Sequence, residues 1–308
     1  MGQTDAVWLS SRVQEFFVCA ADAISVGGQW PITNEGEYCS LELTNKVFVV
    51  TGGGNGIGRE VVLRLLSRGA RVAAIDLNAA GLAETVEKAA VAAGRLTVHA
   101  VNVGDRAAVL ALPELVIGAH GQVDGVLNIA GVIQPFVKIA ELDFDIIERV
   151  MSVNFWGVVN MTKAFLPHLL ARPSSALLNV SSMGGFLPVP GQAAYGASKA
   201  AVKLFTEALF AETQGTNLAV SVVFPGGIGT NIMQNSGVVL TNMDQLTGDK
   251  APKTTTPAEA GRQIVEGLEK GSYRVLIGGD ARFMDRFSRL LPRRATLFMA
   301  KQLKALLG

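Results

Sequence analysis

Residues 46–58, with the sequence KVFVVTGGGNGIG, decide the fold of this chain. The segment begins with an apolar, mostly β-branched run at 47–50, which is typical of a strand buried on both faces. A glycine-rich turn follows, and the pattern over 57–68 predicts a helix. Strand, glycine-rich turn and helix together indicate a dinucleotide-binding unit. Glycines let the backbone approach a pyrophosphate, and the new helix offers its free N–H groups.

A candidate ribose-binding carboxylate follows this unit. Asp76 ends a second strand-like run at 71–75 and lies about 18 residues after Gly58. A carboxylate at that place accepts hydrogen bonds from an adenosine ribose. The alternative is a flexible turn that uses its glycines only for positive φ. The flanking strand, helix and carboxylate disfavour that interpretation.

Composition bounds the remaining possibilities. The 308 residues suffice for one large α/β domain with appendages, and the net charge of +1 does not indicate a nucleic-acid partner. No apolar run reaches the roughly 18 residues that cross a bilayer, and no secretion signal is recognisable. Cys19 and Cys39 are the only cysteines, which favours a reducing, cytoplasmic location over a disulfide framework. His99, His120 and His168 share no ligand spacing, so no metal site is expected.

The chain divides into three parts. Residues 1–40 form an N-terminal extension of unknown role, in which 7–24 could be an amphipathic helix. Residues 41–280 predict an α/β, Rossmann-like, doubly wound catalytic domain with a seven-stranded parallel sheet and helices on both faces. Residues 281–308 form a basic, amphipathic, helical tail. The predicted strands are 46–51, 71–76, 96–101, 123–128, 175–180, 218–223 and 273–277, and the predicted helices are 57–68, 79–93, 105–118, 141–171, 193–214 and 257–270.

Three polar residues in the second half of the domain suggest acid/base chemistry. Tyr195 and Lys199 are four residues apart, so on a helix the ammonium would lie near the phenol and lower its pKa. A lower pKa suits a general acid/base. Ser182 ends a strand thirteen residues before Tyr195. The alternative is a Tyr–Lys pair that lies on the surface without a function. The location of this pair between two predicted strand ends disfavours that alternative.

Asn154 lies within a predicted apolar stripe on helix 141–171. A buried amide needs a hydrogen-bond partner, since leaving it unpaired costs roughly 1–3 kcal/mol. The sequence is equally consistent with two roles for Asn154. Its amide could be satisfied by nearby backbone, or it could hold a water molecule in a proton path. The other members of the stripe are Phe144, Ile147, Met151, Val158, Phe165 and Leu169.

From about residue 43 to 278, these motifs resemble the single-domain branch of the short-chain dehydrogenase/reductase family. The resemblance implies that Asn154, Ser182, Tyr195 and Lys199 are catalytic. It also implies that Ile228 and Thr230 lie near the nicotinamide carboxamide. The chain departs from the family at Asn102, where an Asp is usual, and at Ile129, where an Asn is usual. The full predicted cofactor site is Thr51, Gly52, Asn55, Gly56, Ile57, Gly58, Asp76, Leu77, Asn102, Val103, Asn128, Ala130, Gly131, Tyr195, Lys199, Pro225, Gly226, Ile228 and Thr230.

The expected cofactor is NAD rather than NADP. Asp76 would repel a 2′-phosphate, and it would bind the free ribose hydroxyls of NAD. A phosphate would need a neighbouring Arg or Lys, and the nearby positions are Asn55 and Leu77.

The resemblance implies hydride transfer between NAD(H) and the carbon of an alcohol or ketone. Tyr195, as tyrosinate, would remove the hydroxyl proton while Ser182 holds the substrate oxygen. Lys199 would lower the pKa of the tyrosine and bind the nicotinamide ribose, and Asn154 would position a water. The predicted lid at 233–256 is moderately apolar, which leaves steroids, acyl thioesters, sugars and small secondary alcohols open as substrates.

Two surfaces predict partners. Helices 141–171 and 193–214 are apolar nearly all round, which predicts a homodimer or homotetramer through them. The tail is expected to pack on the neighbouring subunit, and contact with a membrane surface is the less favoured alternative. The off-sheet apolar residues are Phe155, Trp156, Val159, Leu204, Phe205, Leu209 and Phe210.

Two rival functions remain for a chain of this kind. The first is a non-catalytic NAD-binding scaffold or sensor, whose usual sign, a damaged catalytic set, is missing from this sequence. The second is an epimerase or dehydratase that uses the same Tyr–Lys pair. Its glycine spacing normally differs from the spacing found here, so oxidoreductase activity is the preferred hypothesis.

Overall fold

The computed structural model describes residues 41–90, 94–230, 232–236 and 254–303. The N-terminal extension with both cysteines lies outside the described residues, and so do residues 237–253 of the predicted lid and 304–308 of the tail. Among the described residues, no helix has both the length and the apolar character needed to cross a bilayer.

Within these residues, seven parallel strands form one sheet, which confirms the predicted doubly wound α/β fold. The spatial order is β3-β2-β1-β4-β5-β6-β7. The order reverses at β1, which pairs with β2 on one side and β4 on the other, so a ligand crevice opens at the carboxyl ends of these strands. The strands are Val47–Thr51 (β1), Arg71–Asp76 (β2), Leu96–Ala100 (β3), Gly125–Asn128 (β4), Ser175–Val180 (β5), Leu218–Pro225 (β6) and Arg274–Ile277 (β7).

Helices cover both faces of the sheet. They are Gly56–Ser67 (α1), Ala79–Ala89 (α2), Arg106–His120 (α3), Phe144–Met151 (α4), Gly157–Leu170 (α5), Ala193–Glu212 (α6), Ile232–Asn235 (α7), Pro257–Glu269 (α8), Gly279–Leu290 (α9) and Pro292–Gln302 (α10). Side chains alternate along β1, as in any strand. Phe48 and Val50 pack in the core beneath α1 and α8, whereas Val47 and Val49 pack in the core beneath α3 and α5.

The predicted helix 141–171 is not one continuous α-helix. A π-helical turn, Ser152–Trp156, separates α4 from α5. A π turn holds an extra residue, so it rotates the preceding helix relative to an unbroken α-helix. The predicted apolar stripe is therefore wrong at Phe144, which is 81% exposed, whereas Ile147 and Met151 are half-buried and Val150, which was not predicted for the stripe, is fully buried. Asn154 lies inside the π turn and is fully buried.

The C-terminal helices α9 and α10 pack on their own chain. Ala295 and Met299 of α10 form a small apolar cluster with Leu187, and Met183 and Phe186 pack against it. These three partners belong to the loop that follows Ser182. The chain's own loop therefore covers this face of the tail, and the expected packing of the tail on a neighbouring subunit stays a prediction.

Candidate active site

The first wall of the site is the contact between the ends of β1 and β4. The Thr51 hydroxyl accepts hydrogen bonds from the backbone N–H groups of Ile129, at 2.9 Å, and Ala130, at 3.1 Å. Gly52 has a φ of +74°, and a Cβ there would lie 3.1 Å from the Ala130 backbone. The glycine therefore allows both the left-handed conformation and the close approach of the two strand ends.

The glycine-rich turn leads directly into α1. The Asn55 side chain accepts a hydrogen bond from the Gly56 N–H at 2.6 Å and caps the helix. A Cβ on Gly58 would collide with the Gly52 carbonyl, so only glycine lets the turn fold this tightly. Ile57 follows inside the first turn. The predicted pyrophosphate residues are thus together at a helix N-terminus, where backbone N–H groups attract anions.

Asp76 faces this turn from the end of β2. One carboxylate oxygen accepts from the Gly54 N–H and the other from the Asn78 N–H, each at 2.9 Å. A Cβ on Gly54 would lie 3.0 Å from the carboxylate. Leu77 beside it is largely exposed. The carboxylate is therefore held at the edge of the glycine-rich turn, as a ribose-binding role requires.

Arg59 supports the same turn from below, and the sequence interpretation missed it. Its buried guanidinium donates to the Gly54 carbonyl, to the Thr85 hydroxyl at 3.0 Å and to Glu84 at 2.7 Å. The signal in the sequence is a cation in the first turn of a helix, where the dipole disfavours it. Such a cation needs acceptors nearby, and the structure supplies them.

Three further predicted cofactor residues line the neighbouring strand ends. Asn102 is exposed after β3, and its side chain accepts from the Gly104 N–H at 2.9 Å. Val103 is buried beside it. Asn128 is buried at the end of β4 and donates to the side chain of Asn179 at 2.8 Å. This amide pair ties β4 to β5, so Asn128 holds the strand ends in place.

The two candidate catalytic hydroxyls meet after β5. The Ser182 hydroxyl and the Tyr195 ring lie together beside Gly184, where a Cβ would stand 3.5 Å from each of them. The Ser182 hydroxyl also accepts from the Gly184 N–H at 3.0 Å, which orients it. Burial raises the pKa of Tyr195, and the Ser182 hydrogen bond opposes that rise. Desolvation of the phenol is the largest cause of the net rise, and the expected lowering of this pKa by Lys199 stays a prediction.

Lys199 and Asn154 meet on either side of Gly131. A Cβ on Gly131 would lie 3.2 Å from the Lys199 ammonium and 3.3 Å from the Asn154 side-chain oxygen. The ammonium donates to the Val180 carbonyl at 3.0 Å, and burial lowers the pKa of Lys199 to about 8. Lys199 therefore carries a positive charge at neutral pH.

Asn154 is satisfied by nearby backbone, one of the two roles that the sequence left open. Its oxygen accepts from the Val132 N–H at 2.8 Å, and its nitrogen donates to the Val132 carbonyl at 2.9 Å. The same nitrogen donates to the Ser198 hydroxyl at 3.0 Å. Ser198 in turn donates to the Tyr195 carbonyl at 2.7 Å. Asn154 thus couples the loop after β4 to the helix that carries Tyr195.

Gln134 positions Tyr195 from the other side, and no sequence motif indicated it. Its side-chain oxygen accepts from the backbone N–H groups of Ala194, at 2.8 Å, and Tyr195, at 3.0 Å. Its nitrogen donates to the Gly191 carbonyl at 2.9 Å. The fully buried amide therefore satisfies donors at the start of α6 that would otherwise be unpaired.

The loop after β6 closes the site. Its predicted cofactor residues are Pro225, Gly226, Ile228 and Thr230, and the Thr230 methyl lies 3.5 Å from where a Cβ on Gly56 would stand. The Asp280 carboxylate, at the start of α9, accepts from the Gly227 N–H at 2.7 Å. Asp280 was not predicted, although an acidic residue in the first turn of a helix is favourable.

These features fit a bound dinucleotide. The glycine-rich turn brings backbone N–H groups to the start of α1, where a pyrophosphate would approach, and the Asp76 carboxylate lies at the edge where a ribose would sit. Of the two candidate catalytic hydroxyls, that of Ser182 follows β5, and that of Tyr195 comes from the start of α6. A dinucleotide that extends from Asp76 at β2 across the switch point at β1 would lie along the strand ends in the direction of β5 and Ser182.

Comparison with known proteins agrees with the fold. The family model of the short chain dehydrogenases matches residues 46–238. The SadH protein of Mycobacterium tuberculosis is 40% identical over 252 residues, which cover 80% of this chain and 91% of SadH. The 3-oxoacyl-[acyl-carrier-protein] reductase FabG of Thermotoga maritima is 34% identical over 192 residues, which cover 62% of this chain and 77% of FabG.

The fold has close counterparts among solved structures. The crystal structure of a short chain dehydrogenase/reductase from Burkholderia phymatum, in complex with NAD, aligns with a TM-score of 0.72 at 23% identity. The alignment covers 81% of this chain and 96% of that one. Since the family model spans more than half of the sequence, the chain belongs to the short-chain dehydrogenase/reductase family of oxidoreductases.

Proposed function

We propose that this chain catalyses reversible hydride transfer between NAD(H) and the CH–OH/C=O carbon of a moderately apolar alcohol or ketone. The observation that carries the proposal is the meeting of the Ser182 hydroxyl and the Tyr195 ring beside Gly184, with Lys199 one turn later on the same helix. The activity of FabG, a reductase, and the NAD complex of the Burkholderia phymatum enzyme support the same chemistry.

Tyr195 and Ser182 suit proton donation to the substrate when a ketone is reduced to an alcohol. Because burial raises the pKa of Tyr195, its phenol is protonated at neutral pH and can donate to the oxygen of a bound ketone. Ser182 would hold the same oxygen. The chemistry that NADH would supply in this site is a hydride for the carbonyl carbon, which together with the proton would give an alcohol. In the oxidising direction the tyrosinate takes the proton back.

Lys199 supports this proton transfer by its charge. With a pKa of about 8 it is cationic at neutral pH, and a cation near the phenol stabilises the tyrosinate that forms. An ammonium has three donors, and one of them binds the Val180 carbonyl. We assign the other donors to the nicotinamide ribose.

We propose NAD rather than NADP as the cofactor. Asp76 presents a carboxylate where a 2′-phosphate would lie. Arg59 is the nearest buried cation to the turn, but it is engaged by Glu84, Thr85 and the loop carbonyls beneath it. Among the described residues, the turn therefore offers hydrogen-bond acceptors to a ribose, and the Arg59 guanidinium beneath it is already occupied.

Turnover of NAD on a panel of secondary alcohols, read by NADH absorbance, tests the proposal. Tyr195→Phe should lower kcat/KM on the order of 1000-fold while NAD binding persists. Tyr273→Phe is the matched control, because this tyrosine packs on Phe210 at 4.2 Å between ring centroids and should leave activity unchanged. Wild-type activity in Tyr195→Phe would overturn the mechanism. NAD binding without turnover of any substrate would instead favour the non-catalytic scaffold.

We also propose a homodimer or homotetramer through α6 and the neighbouring π turn. Trp156 and Leu204 are 46% and 67% exposed, and the rings of Phe155 and Phe205 are in edge contact at 6.2 Å between them. Leu209, predicted for this surface, instead lies buried in the chain's own core. Leu204→Asp should lower the mass measured by light scattering, whereas Leu110→Asp on exposed α3 should not. Equal masses for the two variants would contradict the interface.

The proposed location is the cytoplasm. The sequence contains two cysteines, a content that suits a reducing compartment. Cell fractionation with an antibody to the chain would test this, and recovery from an oxidising compartment would contradict it.

A further inference from the structure

The outward side of α9 and α10 forms an exposed apolar surface, which we call the C-terminal surface. The inward side of both helices is occupied, since Ala281, Asp285, Ala295 and Met299 are buried against the rest of the chain. The apolar residues left outside are Phe283, 62% exposed, Leu290, 79% exposed, and also Leu291, Leu297 and Phe298.

The same surface carries cations without partners. Arg289 pairs with Asp285, which also binds Arg274. The remaining cations are exposed and form no ion pair or hydrogen bond within the part of the chain that the structure describes. They are Arg282, Arg286, Arg293, Arg294 and Lys301.

The apolar and cationic side chains share one face instead of dividing into two. Residues three or four apart on a helix are neighbours, which places Arg286 between Phe283 and Leu290. In α10 the same spacing places Leu297 beside Arg293, and Phe298 follows Arg294 by four residues. Guanidinium groups on long apolar stems can reach outward beyond the rings and leucines that lie among them.

We propose that the C-terminal surface docks on an anionic lipid surface. Phenyl and leucyl groups would enter the boundary between headgroups and acyl chains, while the arginines bind lipid phosphates. A second copy of the chain fits less well, because a twofold contact would set this surface against itself and oppose its unpaired cations. The helices would lie on the membrane, in agreement with the lack of a spanning helix among the described residues.

The contact places the active site near the membrane. The buried side of α10 packs on Met183, Phe186 and Leu187, the residues that directly follow Ser182. Docking would therefore hold the site beside a phase in which an apolar alcohol or ketone is concentrated. This last step rests on the proposed function, whereas docking itself does not.

Co-sedimentation of the full chain with vesicles tests the docking without an activity assay. The vesicles are phosphatidylcholine alone, or phosphatidylcholine with a third of phosphatidylglycerol, at low and raised salt. The wild type should bind the anionic vesicles more tightly, and salt should weaken that binding. Each cation contributes roughly fivefold, so replacing Arg286, Arg293 and Arg294 by Gln should weaken binding on the order of 100-fold.

A matched triple variant controls for loss of charge alone. Lys88, Lys138 and Lys163 are exposed elsewhere on the chain, and replacing them by Gln should leave vesicle binding within about twofold of the wild type. A second pair tests the apolar part: Phe283→Ser with Leu290→Ser should weaken binding, and Leu110→Ser with Leu115→Ser should not. Circular dichroism checks that each variant is folded.

Three outcomes would overturn the proposal. The first is no binding of the wild type to anionic vesicles at low salt. The second is that the triple arginine variant of the tail and the triple lysine control weaken vesicle binding equally. The third is a fall in the mass measured by light scattering when the tail arginines are replaced, without an effect on vesicle binding, which would show that a second copy occupies the surface.

Discussion

Asn154 offers a sharp test of how the site is held together. Its side chain makes three hydrogen bonds, two with the Val132 backbone and one with the Ser198 hydroxyl. Asn154→Ala would leave these groups without their partner inside the protein. At about 1 kcal/mol for each bond, the free energy of unfolding should fall by about 3 kcal/mol. For a chain of this size, that corresponds to a loss of roughly 6 °C in the melting temperature.

Asn160 is a matched control on the same helical segment. It is also a buried asparagine, but it makes a single hydrogen bond, to the Val103 carbonyl at 3.1 Å. Asn160→Ala should therefore cost about 1 kcal/mol, which leaves a difference of about 2 kcal/mol between the two variants. The difference is the quantity to measure, because the packing that both variants lose in the same Asn-to-Ala change largely cancels.

Urea unfolding followed by circular dichroism measures both variants. If Asn154→Ala and Asn160→Ala lost the same free energy of unfolding, the bidentate link to Val132 would contribute nothing and the reasoning would fail. A second readout is kcat, which should fall in Asn154→Ala but not in Asn160→Ala. Asn154 holds Val132, and the preceding residue, Gly131, lies between Asn154 and Lys199, so the loss of Asn154 would disturb the surroundings of Lys199.

Two further predictions concern pH and cofactor affinity. Burial lowers the pKa of His99 and of His120, so the unfolded chain binds protons more readily than the folded one. The contribution of these histidines to the free energy of unfolding should therefore be complete above about pH 6.5 and be lost as the pH falls below that value. His120→Gln should make this loss of stability smaller. Urea titrations at several pH values would measure both effects. Asp280→Ala should raise KM for NAD roughly fivefold, because the Gly227 N–H loses its acceptor. Asp280→Asn keeps an acceptor and should leave KM unchanged. Equal KM values for the two variants would contradict this prediction.

Much of the fold was predictable because it depends on local patterns. The apolar run before Gly52 and the glycine spacing predicted β1, the turn and α1, which the structure confirms. Strand lengths followed from short buried runs, and their parallel arrangement followed from the alternation with helices. The prediction failed at Phe144, because the extra residue in the π turn rotates the preceding helix, and the apolar pattern of the sequence did not indicate where that extra residue lies.

The candidate site shows the same division. By itself the sequence determined which residue types stand at the strand ends, that Tyr195 and Lys199 share a helix face, and that Asp76 follows the glycine-rich turn, since these relations span few residues. The tertiary structure alone decided how those residues are held. Gln134 binds the Tyr195 backbone across 61 residues, and Asp280 binds Gly227 across 53. Such pairings depend on which elements pack together, and that is set by burial over the whole chain, not by any local motif.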